Sequence, residues 1–164
     1  MFLLRQSIQS LFAKTQDLLY SEGFNTNSGG NASIIMSYPQ KEDQLPIIRP
    51  VIIVSSMIGF DSPIELGSND GTEVLVIIDV IAKDDAQRDD LGYMLIKNLR
   101  NRVLPIYDFS TKFPSNIGDY TGINTVGKMT ILGTSFSNIE PDINDIWALE
   151  HHQEIRVRLG IPSD

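Results

Sequence analysis

One stretch limits what this chain can fold into more than any other. Glu73-Val-Leu-Val-Ile-Ile-Asp-Val-Ile-Ala82 runs straight into a segment of helical periodicity that reaches Val103. Side chains alternate across a strand, so Val74, Val76, Ile78 and Val80 share one face while Leu75, Ile77 and Ile81 fill most of the other. So apolar a run reads as a buried strand. The next segment carries its own start signal. Asp84 with Gln87 three residues on is a capping-box pattern. Asp85, Asp89 and Asp90 sit at the positive end of the helix dipole, and Lys97, Arg100 and Arg102 at the negative end. Leu91, Leu95 and Leu99, flanked by Ile96 and Val103, form the expected buried stripe, and Pro105 is read as its stop. Gly92 inside this helix costs about 1 kcal/mol relative to alanine, which predicts close packing on a strand at that point.

The flanking chain supplies the rest of a sheet and a second helix. Leu4, Ile8, Leu11, Phe12, Leu18 and Leu19 recur at helical spacing with Arg5, Gln9, Lys14 and Asp17 between them, predicting an amphipathic helix from Phe2 to Glu22 that ends at Gly23. Asn25 to Asn31 and Tyr38 to Pro46 read as loops around a short Ile34-Ile35-Met36 segment. Val51 to Val54, continuing to Ile58, suits a strand covered on both sides. Ile64 to Leu66, the turn Ser68-Asn-Asp-Gly71 and the strand from Thr72 to Ala82 read as a hairpin. Residues 106–125 form a long Gly-, Pro- and Asn-rich excursion before a strand from Lys128 to Phe136. Asn138 to Asp145 is turn-like. The segment from Trp147 closes with Ile155, Val157 and Leu159 inward and one wet face. Helix, strands, helix, strands predicts an α+β fold, a mainly antiparallel sheet packed with two helices, in a single domain over 1–164.

Composition removes several classes of function. At 164 residues with 41% hydrophobic side chains the chain can bury one real core. It has no cysteine, hence no disulfide, thiol nucleophile or cysteine-ligated metal. The N-terminal apolar run is too short for a signal-peptide core, and none approaches the roughly 20 residues needed to cross a bilayer, so no membrane association is expected. A net charge of −8 opposes binding to a polyanion, where affinity comes from Lys and Arg. The acid is uneven: from Asp61 to Asp90 nine acids face only Lys83 and Arg88.

Catalytic constellations are not visible. There is no Gly-x-Ser-x-Gly elbow and no phosphate loop. Asp79-Val-Ile-Ala-Lys83 has the wrong spacing for a restriction-type nuclease. His151 and His152 are adjacent, so in a strand they would point to opposite faces and not share an ion; one exposed and one partly packed histidine is expected. Asp142, Asn144 and Asp145 lack the glycine and distal glutamate of a calcium loop. Asp84, Asp85, Asp89 and Asp90 are explained by helix capping and solvation. No catalytic, metal or cofactor residue is assigned. A metal-assisted hydrolase built on Asp79, Asp84 or the histidines stays a remote alternative.

Three pieces taken together resemble the tail terminator proteins of long-tailed bacteriophages: the N-terminal helix, the strand Pro50-Val-Ile-Ile-Val54, and the strand-to-helix passage from Val74 to Leu91. Met129 to Asp142 followed by Glu154-Ile-Arg-Val-Arg-Leu159 is similar to that family's strand, acidic turn and final strand. The resemblance is one of element pattern over most of the chain. It implies a non-enzymatic virion subunit, assembled in the host cytoplasm, that forms a ring, typically a hexamer. The ring would cap the tail tube protein and dock to a head-completion or neck protein, and DNA would pass through without specific binding. Another neck or head-completion adaptor is the nearest alternative. The loops Asn25 to Pro46 and Tyr107 to Val126 become candidate contacts to neighbouring rings, and Asn69, Asp70 and Gly71 a candidate subunit contact. Closed rings need heterologous interfaces, so Arg156 and Arg158 are expected to face the acidic 61–90 surface of the next subunit. An acidic lumen would repel phosphate. The 106–125 excursion is longer than this pattern implies.

Overall fold

The computed structural model describes residues 2–37, 46, 48–56, 71–140 and 151–162. The turn at Ser68-Asn69-Asp70, the loop over 38–45, the strand extension to Ile58, the segment from Ile64 to Leu66, the acidic turn at Asp142 to Asp145, and Trp147 lie outside those residues.

The elements in chain order are α1 (Phe2–Ser21), β1 (Ser33–Met36), β2 (Val51–Ser56), β3 (Gly71–Ile81), α2 (Asp85–Leu99), β4 (Val103–Tyr107), β5 (Thr125–Ile139) and β6 (His152–Pro162). The strands form one six-stranded sheet in the order β1-β2-β3-β6-β5-β4. Among the described residues only β1 and β2 pair in parallel; every other neighbouring pair is antiparallel. The fold is α+β, a mostly antiparallel sheet with two helices in a single domain.

The apolar pattern decides which face is covered. Val74, Val76, Ile78 and Val80 of β3 join Ile155, Val157, Leu159 and Ile161 of β6 under Leu91, Leu95 and Leu99 of α2. Leu11, Leu18 and Leu19 of α1 seal the same core, with α1 lying chiefly against β4 and α2 against β3, β5 and β6. Burying a leucine or isoleucine side chain here stabilises by about 1.5–3 kcal/mol. On the opposite face Val51, Ile53 and Ile81 make a second small buried cluster with Ile35 packed on it. β2 is thus covered on both sides, as its β-branched run predicts.

The start of α2 follows its capping signal. Asp84 Oδ1 accepts the Gln87 N–H at 2.8 Å, and Gln87 Oε1 reaches back to the Lys83 N–H at 3.0 Å. Its end does not follow the sequence reading. The helix stops at Leu99 and closes through the Arg100 N–H to Ile96, with Asn101 at φ 53°. Val103 is 59% exposed and opens β4, so it is no part of the helical stripe. Pro105, read as a stop, sits inside β4, because the outermost strand of a sheet tolerates a residue with no N–H. β5 is longer than expected at both ends and carries a bulge between Ile131 and Gly133. The start of α1's exit loop is as predicted, with Gly23 at φ +88°, a conformation glycine adopts at little cost.

Candidate subunit interface

The charged groups proposed from sequence are paired within the chain. Asp84 caps α2. Asp85 lies 3.0 Å from Arg88, and Arg88 lies 2.9 Å from Asp89. The two histidines diverge, as expected, but not by strand alternation: His151 sits in a turn at φ 54° with Nδ1 2.7 Å from Asp85 Oδ1. His152, on β6, places Nε2 2.6 Å from Asp79 Oδ1 of β3. Asp79 is buried, and a buried carboxylate requires such a partner. The hydrogen bond from His151, helped by Arg88, holds Asp85 below the usual carboxylate range. Among the described residues no three His, Asp or Glu side chains gather in a group that could hold a metal ion.

Arg156 and Arg158 project from β6 on the face away from the helices. Arg156 Nε lies 2.7 Å from Glu154, and Arg158 bonds Glu73 of β3, the adjacent strand. Each arginine remains about half exposed, so the face is accessible and locally balanced in charge. The described acids of the 61–90 stretch divide between two sides: Glu73 and Asp79 on the helix-free face, Asp84 to Asp90 on α2. Gly71 opens β3 opposite Pro162, while Asn69 and Asp70 lie outside the described residues.

The excursion after β4 is docked on α1. Buried Gln6 accepts the Phe109 N–H at 2.8 Å and donates to Asp108 at 3.3 Å; Ser10 Oγ accepts the Tyr107 N–H at 2.9 Å. Tyr107 stacks on Tyr120 with centroids 4.4 Å apart, and the Tyr120 hydroxyl donates to Asp17. Burial raises the Asp17 pKa, against the hydrogen bond from Tyr120. These polar positions on α1 carry no periodic apolar signal, which is why sequence reading leaves them as plain helix surface.

What stays open is a strand edge. β4 covers β5 only from Thr125 to Thr130, and one further bond ties the Ile131 N–H to Arg102. Beyond the bulge, Gly133 to Ile139 pairs with β6 on one side and, among the described residues, with no strand on the other. Phe136 is 59% exposed there, and Tyr93 of α2 is 70% exposed. Between them runs a groove of about 350 Å³ lined by Asp89, Gly92, Tyr93, Ile96, Phe136 and Gln153.

The floor of this groove explains Gly92. A Cβ on Gly92 would fall 1.7 Å from Oε1 of Gln153, a buried β6 side chain whose Nε2 donates to Asn138 at 2.9 Å. The close packing on a strand predicted for this glycine is present, and its partner is a polar one. Gln153 Oε1 is itself buried without a hydrogen-bond partner. Sequence reading ends the strand at Phe136 and so misses the last three residues of the overhang; the alternation of Thr134, Phe136 and Asn138 is the signal that carries it further.

No family model matches the chain, and no curated protein matches it.

Proposed function

We propose that this chain is a structural virion subunit of the tail-terminator kind, one that closes into a ring, most simply a hexamer. The ring caps a tail tube and meets a head-completion or neck protein while DNA passes through it. The observation that carries this reading is the pair of unlike edges at the two ends of one sheet. β1 is an outer strand at one end, and the Gly133–Ile139 overhang of β5 is unpaired at the other among the described residues. Unlike surfaces on one subunit give head-to-tail association, which closes when the rotation per subunit divides a full turn. The element pattern of the resemblance and the tying of Asp79, Asp84 and Asp85 into structural pairs support the same reading. The net charge of −8 suits a channel that repels phosphate. A neck adaptor of the head-completion kind would share these edges and differ in which end of the joint it binds.

Native mass spectrometry and negative-stain imaging of the purified chain, alone and mixed with tail tubes, test this. Closed rings that cap tube ends are expected. A strictly monomeric protein that never caps tubes overturns the reading, and rings that bind only the portal side move it to the adaptor.

A further inference from the structure

We propose that the β5 edge from Gly133 to Ile139, unpaired among the described residues, receives strand β1 of a second copy as an antiparallel addition, with Met36 of that copy seated in the groove between α2 and β5. The inference rests on the ring reading and names its seam.

Strand direction is the first support. β5 and β3 run the same way, both being antiparallel to β6, and β3 runs opposite to β2 and its parallel neighbour β1. A rotation about an axis along the strands therefore brings β1 of one subunit against β5 of the next in the antiparallel sense. That arrangement offers straight N–H to C=O bonds and the more stable pairing.

Facing is the second. Ile34 packs on the helix-side core and Ile35 on the opposite cluster, so alternation puts Met36 on the helix side, where it is 44% exposed. After the bulge, Phe136 shares a row with Ile155, a residue of the helix-side core. A sheet continued across the seam keeps helix faces together and carries Met36 toward the open side of Phe136 and Tyr93. A thioether beside aromatic rings is a favourable contact.

Charge is the third. Subunits of net charge −8 repel, so a seam between them belongs where charge is absent. Residues 23–40 and 129–139 contain no Asp, Glu, Lys or Arg, and they hold β1 and the overhang. The overhang Gly-Thr-Ser-Phe-Ser-Asn-Ile also contains no proline, so past the bulge it carries neither of the two side-chain devices, charge and proline, that keep sheet edges from pairing.

The chain has no cysteine, so introduced ones report cleanly. With Met36 beside Phe136 the antiparallel register puts Ser33 opposite Ile139, and a slip of two residues puts it opposite Ser137; all three share the helix-free face by alternation. The variants are S33C, S137C and I139C singly, and S33C combined with each of the other two, under mild oxidation. Directly opposed residues of antiparallel strands lie about 4.5–5.5 Å apart at Cα, inside the range a disulfide spans. A covalent ladder ending at ring size in a double variant, with single variants uncrosslinked, is the expected result. Covalent dimers from S137C or I139C alone would show that like edges meet and overturn the proposal. Native rings with no cross-link in either double variant would overturn this seam and leave the ring reading standing; a monomer throughout defeats both. As a second measurement, Phe136→Lys is expected to weaken self-association on the order of a hundredfold, while Val103→Lys on β4 leaves it unchanged. Both side chains are more than half exposed, so far-ultraviolet circular dichroism should show the fold intact. Equal loss in both variants would also overturn the proposal.

Discussion

The β4 edge and the β5 overhang lie on the same side of one sheet, a few residues apart, and are treated in opposite ways. β4 has Pro105 where another residue would offer an N–H, and α1 lies against it, with Ser10 taking the Tyr107 N–H and Gln6 the Phe109 N–H just past its end. These are the means by which a sheet protects an edge: a proline, and a covering helix. The overhang from Gly133 to Ile139 has no proline and, among the described residues, no helix against it, and it exposes Phe136 instead. One half of the edge is guarded and the next half is not, and the difference lies in which side chains and which helix stand beside each half.

The largest effect on this comparison is expected at Gly92, which lets α2 approach β6 and shapes the groove beside the open edge. Gly92→Val should lower stability by about 2–3 kcal/mol, since the added carbons must displace the buried Gln153 amide; equilibrium urea unfolding reads this. A change within about 0.5 kcal/mol of the parent, the ordinary range for surface sites, would mean that Gln153 does not hold the helix at its height. On the guarded side, Gln6→Leu strands the buried Phe109 N–H and should cost about 1–3 kcal/mol. It should also loosen the 108–124 excursion, visible as faster amide exchange there before the sheet responds. Uniform exchange would break the link between α1 and the guarded edge.

A smaller effect is expected from Pro105→Thr. Stability should stay within about 0.5 kcal/mol because no core contact is removed, while self-association, followed by light scattering, should rise if the missing N–H is part of the guard. The smallest effect concerns acid. Asp85 is held below its ordinary pKa by His151, so what this pairing contributes is fully present above the usual carboxylate range and is lost as pH falls through the depressed value. Asp85→Asn should therefore melt below the parent at neutral pH, with the two melting curves converging as the pH drops under that value. A constant offset at all pH values would show that the pairing carries no linked stability.

Much of the fold is legible in particular residues. The β-branched alternation of β3, the Asp84 and Gln87 cap, the Gly23 exit and the inward row of Ile155, Val157 and Leu159 each need only neighbours in sequence. Gly92 is legible as a close approach, though not which side chain makes it. The open edge is less so: the strand reading stops at Phe136 because Asn138 opens a stretch that reads as a turn, and nothing in the side chains of β5 tells how far its neighbour β4 reaches. The guard on β4 is hidden further, because Pro105 after a helix reads as a terminator and nothing in the pattern of α1 singles out Gln6 or Ser10.

By itself, then, the sequence determined the elements whose signals are periodic or local: both helices, the two-faced burial of β2, the buried helix-side row of β3, and a last strand with one wet face. Only the tertiary structure decided that β6 inserts between β3 and β5, that β4 forms an edge closed by α1, and that β5 runs past it. Strand order and edge exposure depend on pairings between residues far apart in the chain, and backbone hydrogen bonds, which make those pairings, are the same for every residue that has an N–H. Side-chain pattern shows which face is inward; it does not show which neighbour stands alongside.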